Sequence, residues 1–118
     1  MSKILVVDDD IDILELVRLI LTRSGMEVRT IFRGEMVAEA IREFEPSLIL
    51  MDISLGTIDG REICKALKRQ DATRDIPIIL FSANIEFQKN VGECQAEGFI
   101  SKPFEMKQLL NTIQSKLK

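Results

Sequence analysis

The sequence contains no histidine, no tryptophan and no tyrosine. Without histidine, the chain cannot form a catalytic triad with an imidazole base or a zinc site with imidazole ligands. Aromatic residues, all of them phenylalanine, make up only 5% of the chain. The core must therefore consist mainly of isoleucine, leucine, valine and methionine side chains.

Long apolar runs are lacking as well. No fully apolar run exceeds four residues, whereas a membrane-spanning helix needs roughly 20. The N-terminal residues Met1-Ser2-Lys3 lead directly into the first apolar run and have none of the features of a signal peptide. We therefore expect no membrane segment and a cytoplasmic location.

Cysteine is scarce, with Cys64 and Cys94 as the two residues of this type. They lie on separate predicted helices and do not have the spacing of metal ligands. We expect both to be small helix residues in a reducing cytoplasm.

The rest of the composition is that of one globular domain. The chain has 118 residues, of which 46% are hydrophobic and 30% are charged, so residues 1–118 are expected to form a single domain. The net charge of −3 argues against nucleic acid as a direct partner, because a phosphate backbone attracts basic surfaces.

Apolar runs with little polar alternation recur along the chain, as is typical of strands buried on both faces of a parallel sheet. They occupy residues 4–7, 47–51 and 76–81, and further strands are expected at residues 26–31, which have β character, and at about 99–101. A segment with helical periodicity follows each of them. This alternation predicts an α/β fold with a doubly wound, five-stranded parallel sheet in the order 2-1-3-4-5, the flavodoxin-like (βα)5 arrangement.

The predicted helices are marked by their apolar stripes and their end signals. The first, residues 11–23, is apolar on nearly all sides and is expected to be the most buried helix, with Gly25 closing it in a left-handed conformation. The fourth, residues 85–96, has a thin stripe that Gly92 interrupts. That stripe consists of Phe87, Val91 and Cys94. The fifth is expected to open at Pro103.

Ligands of such sheets bind at the carboxyl ends of the strands, beside the point where the strand order reverses. The residues that follow strands 1, 3, 4 and 5 are Asp8 and Asp9, Asp52, Ser82 and Ala83, and Lys102, respectively. Because strands 1 and 3 are neighbours in the predicted order, the three acids are expected to converge although over forty residues separate them in the chain.

Three carboxylates in one pocket repel each other and persist as ions only beside a compensating cation. An oxygen-only ligand set suits Mg²⁺, and Lys102 adds a fixed positive charge at the same edge. Each residue alone has a simpler explanation. An acidic run before a helix is more often an N-cap, and Asp10 or Asp12 is expected to serve as one. The combination at one sheet edge favours a functional site.

Four segments together carry a family resemblance. They are Ile4-Leu5-Val6-Val7-Asp8-Asp9, Leu48-Ile49-Leu50-Met51-Asp52, Ile79-Leu80-Phe81-Ser82-Ala83 and Phe99-Ile100-Ser101-Lys102-Pro103-Phe104. The spacing from Asp52 to Asp59-Gly60 fits the same pattern. Over its whole length the chain resembles the receiver domain of bacterial two-component response regulators.

The resemblance implies an acceptor and a metal site. Asp52 resembles the phospho-acceptor, and Asp9 and Asp52 resemble direct ligands of Mg²⁺. Asp8 would act through a bound water, and the backbone carbonyl of Ser54 would be a further ligand.

The resemblance also implies phosphoryl-binding and switch residues. Lys102 resembles the lysine that pairs with the phosphoryl group, and Ser82 the hydroxyl residue that binds it together with the backbone of Ala83. Ser82 and Phe99 stand at the switch positions, although an ordinary buried phenylalanine explains Phe99 equally well. The Lys102–Pro103 peptide is expected to be cis.

Two departures from the family pattern affect the loops of the site. Gly56 stands where the family usually has proline, which makes the loop after Asp52 more flexible. The segment between Ser82 and Lys102 is slightly shorter than usual, so the start of the fourth helix and the entry to the fifth strand are left open.

The expected function is that of a phosphoprotein switch in a two-component phosphorelay. A sensor histidine kinase or a histidine phosphotransfer protein would supply the phosphoryl group. The response would appear on the surface of helix 4, strand 5 and helix 5, which could face an effector domain or a target protein. The domain is not expected to be an enzyme beyond catalysing its own phosphorylation and dephosphorylation.

Three other functions fit the sequence less well. A receiver-like docking module that is not phosphorylated would lack the acceptor, the acid pair or the lysine. A nucleotide- or flavin-binding enzyme would need a glycine-rich loop after strand 1, where this chain has acids. An aspartyl-phosphate phosphatase would need a larger body than 118 residues provide.

Overall fold

The structure, a computed structural model, describes residues 1–117, with every side chain except those of residues 85 and 88–91. Val91, part of the predicted stripe of the fourth helix, therefore lies outside the described side chains. In chain order the elements are β1 (Lys3–Val7), α1 (Ile11–Arg23), β2 (Glu27–Ile31), α2 (Val37–Phe44), β3 (Leu48–Asp52), β4 (Ser54–Leu55), β5 (Ile58–Asp59), α3 (Gly60–Lys68), β6 (Ile78–Ser82), β7 (Gly98–Ser101) and α4 (Met106–Lys116). 3₁₀ helices occupy Gly34–Met36 and Ile85–Cys94.

The main sheet has five parallel strands in the order β2-β1-β3-β6-β7. Because β6 and β7 correspond to the fourth and fifth predicted strands, the predicted order 2-1-3-4-5 is confirmed. The order reverses between β1 and β3, which places the carboxyl ends of these two strands side by side. The apolar runs form β1, β3 and β6 because each of these strands is covered by helices on both faces.

The core is divided between the two faces of the sheet. Alternate residues of β1 point to opposite faces, so that Leu5 and Val7 pack with α2 and α3, whereas Ile4 and Val6 pack with α1 and α4. Every residue of β3 and β6 is buried. Within residues 1–117, no helix is both long and apolar enough to cross a membrane.

The prediction that α1 is the most buried helix is wrong. Its buried residues are Leu14, Val17 and Leu21, which form one stripe, whereas Leu16 and Leu19 are 47% and 49% exposed. The sheet covers only one side of the helix, and the described part of the chain places no further layer on the other side. Gly25 follows the helix with a φ of 87°, as expected of a left-handed helix end.

The segment predicted as the fourth α-helix is a 3₁₀ helix, Ile85–Cys94. Its i to i+3 bonding is seen where the Phe87 N–H donates to the Asn84 carbonyl at 3.2 Å and the Gln95 N–H to the Gly92 carbonyl at 3.1 Å. The sparse apolar stripe gives this segment little surface with which to hold a regular α-helix against the sheet.

The last helix begins at Met106, three residues later than the predicted start at Pro103. Residues before it are used for packing, since the Phe104 ring meets the Phe81 ring edge to face at 6.3 Å between centroids. Glu105 has an extended backbone, and its carbonyl accepts the first helical bond, from Leu109. The Lys102–Pro103 peptide is cis, as expected.

The predicted loop after Asp52 contains a small antiparallel hairpin formed by β4 and β5. Gly56 lies in its turn with a φ of 63°, a conformation that glycine adopts without steric cost. The hairpin folds back toward α3, where the Gly60 N–H donates to the Ile53 carbonyl at 2.7 Å. The loop is therefore held at both of its ends.

Candidate functional site

The three acids predicted to converge lie together at the carboxyl edge of the sheet. Val7 of β1 is paired with Met51 of β3, so the residues that follow them, Asp8 and Asp52, are placed next to each other. Asp8, Asp9 and Asp52 each offer a carboxylate oxygen, and these oxygens lie within 4.8 Å of one another. The group is therefore compact enough to hold one metal ion.

Lys102 brings a positive charge to the same edge. Its Nζ lies 2.7 Å from Oδ2 of Asp8 and 3.4 Å from Oδ2 of Asp52. The Lys102 backbone N–H donates to the Ser82 carbonyl at 2.8 Å, which continues the pairing of β7 with β6 past the end of the strand. The ends of three different strands thus place their charged groups in contact.

Two of the three acids are buried, and their negative charges lie close together. Asp8 is fully buried and Asp52 is 6% exposed, whereas Asp9 is open to solvent. Burial, followed by the negative charge of Asp8, raises the pKa of Asp52 from its ordinary value of 3.8 to about 6, although Lys102 acts in the opposite direction. At neutral pH, Asp52 is therefore mostly ionised, but its negative charge is destabilised by burial and by Asp8. A cation bound beside it would stabilise this charge.

Backbone N–H groups hold the carboxylates in place. The Ser54 N–H donates to Oδ1 of Asp52 at 3.3 Å, and the Gly56 N–H donates to Oδ2 of Asp9 at 3.2 Å. The Asp10 N–H donates to Oδ1 of Asp8 at 2.9 Å. The hairpin after Asp52 is therefore attached to the acid of a different strand.

The N-cap expectation for the acidic run is confirmed at Asp10. Its side chain accepts hydrogen bonds from the N–H groups of Asp12 and Ile13 at the start of α1. Capping thus accounts for Asp10, whereas Asp8 and Asp9 point their carboxylates toward Asp52.

Ser82 and Ala83 lie on the same edge, at the end of β6. Asp52 is paired with Phe81, so Ser82 is one residue beyond the acceptor candidate on the neighbouring strand. Ser82 is buried, and its Oγ accepts a hydrogen bond from the Asn84 N–H at 3.0 Å, whereas Ala83 is exposed. Both residues can therefore be reached by a group bound at Asp52 if the chain after β6 turns toward it.

The side chains of two predicted site residues, Ser54 and Phe99, do not lie among the acids. Ser54 is exposed and contacts the site through its backbone N–H; its carbonyl remains a predicted ligand. Phe99 is half-buried within β7, opposite Leu80, and packs on the core that α2 and α3 cover rather than at the carboxyl edge. The interpretation of Phe99 as an ordinary core residue thus retains its support.

The family comparison agrees with this geometry. Residues 4–114 match the family described as the response regulator receiver domain. The chain belongs to this family. The expected resemblance is therefore confirmed over nearly all of this receiver domain.

Individual relatives show how far the similarity extends. The DNA-binding response regulator MtrA of Mycobacterium tuberculosis is 31% identical over 119 residues, which make up 99% of this receiver domain and 51% of MtrA. The chemotaxis response regulator CheY4 of Vibrio cholerae has a TM-score of 0.90 and 30% identity, with 99% of both chains covered. The receiver domain of NtrX from Brucella abortus has a TM-score of 0.88 and 35% identity, with 97% of both chains covered. The chain spans about half the length of the curated relatives it matches.

Sequence reasoning missed two contributors to the site of this receiver domain. The Phe81 ring lies under the Lys102 ammonium, with Nζ 4.5 Å from the ring centroid, and the apolar run of β6 gave no sign of this contact. Gly60 was expected only as a residue of the loop after Asp52, within the spacing from Asp52 to Asp59-Gly60. A Cβ atom there would collide with the backbone carbonyl oxygen of Asp52 and would lie 3.1 Å from the Cα of Ile53. Glycine therefore allows α3 to begin against the end of β3.

Proposed function

We propose that this receiver domain is a phospho-accepting switch in which Asp52 receives a phosphoryl group from a phosphohistidine. The observation that carries the proposal is the contact of Asp52 with two further acids and one lysine at a single sheet edge. The partner would be a sensor histidine kinase or a histidine phosphotransfer protein.

The three acids fit a magnesium ion. Their donor set consists only of oxygen atoms, two of the three side chains are buried, and Lys102 supplies the single positive charge within contact distance among the described residues. Asp9 and Asp52 would bind the ion directly, Asp8 through water, and the Ser54 carbonyl would complete the protein ligands. When bound, the ion would neutralise charge on the oxygens of the transferring group.

Asp52 is the best nucleophile of the three acids. Asp8 is fully buried and is held at 2.7 Å by Lys102, while Asp9 is exposed and bonded to the hairpin. A carboxylate oxygen of Asp52 would attack the phosphorus as the bond from phosphorus to the imidazole nitrogen breaks, so that the electron pair of that bond returns to the imidazole. Lys102 would stabilise the charge on the phosphoryl oxygens, and little further covalent chemistry is needed.

The product would change the charge of the edge by about −1.5 to −2 and add strong hydrogen-bond acceptors. The Ser82 hydroxyl and the Ala83 N–H lie on the adjacent strand end and would turn toward the new oxygens. The surface formed by the 3₁₀ helix Ile85–Cys94, β7 and α4 would then shift, with Phe99 as the internal switch residue. Coupling of this kind is typically worth about 1–3 kcal/mol.

The wider role of the domain follows from the same proposal. It would be a cytoplasmic signalling domain covering residues 1–118, with no catalytic activity beyond its own phosphorylation and dephosphorylation. Its negative net charge argues against direct binding of nucleic acid. In longer relatives such as MtrA, DNA contact would belong to the half of the protein that this chain does not match.

Incubation with a small phosphodonor and Mg²⁺ tests the proposal. Intact mass should show one addition of about 80 Da, the mass of one phosphoryl group, and Asp52→Asn should abolish it. Asp71→Asn is the matched control, because Asp71 is an exposed acid whose side chain pairs only with Arg74 among the described residues. An unmodified wild type would support the docking-module alternative. Labelling that survives in Asp52→Asn and disappears in Asp8→Ala would move the acceptor to Asp8.

A further inference from the structure

One face of α3 holds the segment that follows β6 at three successive points. The Arg61 guanidinium lies 4.4 Å from the centroid of the Phe87 ring. One turn later, the Cys64 thiol donates to the backbone carbonyl of Cys94 at 3.3 Å. The Lys68 ammonium, another turn on, forms an ion pair with Glu97, with Nζ 2.8 Å from Oε2. This spacing is that of one helix face.

The middle contact brings together the two cysteines, which the sequence had left on unrelated helices. Cys64 is completely buried and Cys94 is 2% exposed, and both belong to the core between the sheet and α3. Burial raises the pKa of the Cys64 thiol, and the nearby Cys94 raises it further. The Cys64 sulfur lies against the backbone of Cys94 itself, so the two cysteines are in direct contact.

Surface grooves adjoin one of the two cysteines. Cys94 lines two adjoining surface grooves with volumes of about 160 and 250 Å³. Each of them can admit a molecule as small as a peroxide, since a water molecule occupies about 30 Å³. Cys64 lines neither groove. Of the two cysteines, Cys94 is therefore the one nearer to solvent, and Cys64 is the more enclosed.

We propose that Cys64 and Cys94 are a thiol pair that a hydroperoxide converts into an intramolecular disulfide. In the first step, the Cys94 sulfur takes one oxygen from the peroxide and becomes a sulfenic acid, and one water or alcohol leaves. In the second step, the Cys64 sulfur attacks the Cys94 sulfur and hydroxide leaves as water. Two thiols thus lose two electrons and two protons, and the peroxide is reduced. A dithiol reductant reverses the reaction.

The disulfide would join α3 to the end of the 3₁₀ helix. α3 begins against the backbone of Asp52, and the 3₁₀ helix follows Ser82, so the bond would restrict the segment that is expected to respond to phosphorylation. That consequence rests on the proposed function. Formation of the disulfide does not, because it depends only on the packing of the two cysteines.

The test treats the folded full chain with dilute hydrogen peroxide and then alkylates it with a maleimide under denaturing conditions. Before oxidation, two maleimide groups should be added, and after oxidation none. A tryptic digest should contain residues 62–65 joined to residues 90–107, and a dithiol should restore both separate peptides.

Cys94→Ala is the control for the order of the two steps. In this variant Cys64 should keep its single maleimide addition after the same treatment, because the thiol that the peroxide reaches is gone. Wild-type protein that retains both maleimide additions, that carries a sulfinic acid on Cys94 without cross-linking, or that forms disulfides only between two chains would overturn the proposal. None of these results depends on phosphorylation, so they are distinct from a failure of Asp52 to accept phosphate.

Discussion

Replacing Asp52 with asparagine should stabilise the fold when no divalent ion is present. In the folded chain the Asp52 carboxyl has a pKa of about 6, against 3.8 for an ordinary aspartate, chiefly because it is buried and lies beside Asp8. Each tenfold change in acidity is worth about 1.4 kcal/mol, so keeping this group ionised costs the folded state about 3 kcal/mol. Asparagine has nearly the same shape and removes this cost.

The pH dependence has a definite sign. Below pH 3.8 the carboxyl is protonated in both the folded and the unfolded chain, so that the wild type carries no penalty. Between pH 3.8 and about 6 the Asp52 carboxyl is ionised in the unfolded chain but still largely protonated in the folded chain. The stability of the wild type therefore falls across this range. Above about pH 6 the penalty is complete and constant. The advantage of Asp52→Asn should therefore grow from pH 4 to pH 6 and then level off.

Urea denaturation in a chelator, repeated across pH 4 to 8, measures this difference. Added Mg²⁺ should narrow the gap by stabilising the wild type more than the variant, because the ion binds the folded carboxylates. Asp71→Asn, at an exposed acid, should give a curve parallel to the wild type. Equal stability of wild type and Asp52→Asn at pH 7.5 in chelator, or a gap that does not vary with pH, would refute the electrostatic account.

The remaining predictions concern packing around the site. Gly60→Ala should lower the extent of phosphorylation measured by intact mass, since its Cβ would push against the Asp52 backbone; full labelling would contradict this. Lys68→Met should destabilise the fold by about 2–4 kcal/mol in urea, because Lys68 is buried and its ammonium has three oxygen partners. Lys65→Met, at an exposed and longer ion pair, should change stability by less than about 0.5 kcal/mol. Leu14→Ala should cost about 2–5 kcal/mol and Leu19→Ala well under half of that, and equal losses would contradict the observed orientation of α1.

The sheet and its edge were predictable because they depend on patterns with a single physical solution. A continuous apolar run such as residues 48–51 must be covered on both faces, and covered strands joined by helices form a parallel sheet with a known handedness. Once β1 and β3 are neighbours, Asp8 and Asp52 must meet. The contact of Lys102 with both acids follows from the same edge.

The parts that were not predictable depend on tertiary context. The composition of α1 could not reveal which of its sides the sheet covers, because apolar residues occur on nearly all of them. Only the packing separates exposed Leu16 from buried Val17. The choice between 3₁₀ and α geometry in residues 85–94 depends on how the segment is held by its neighbours. The meeting of Cys64 with Cys94 depends on that same segment.

The helix α3 connects two opposite rims of the sheet. It starts where Gly60 lies against the end of β3, and about 12 Å further on, at a rise of 1.5 Å per residue, it ends at Lys68. There the ammonium holds the carbonyls of Arg74 and Ile76, at the entry to β6. A short rigid rod therefore links the acidic rim to the beginning of the strand that carries Ser82. Substitutions made at the far rim, without touching any charged group of the site, should alter how readily Asp52 reacts.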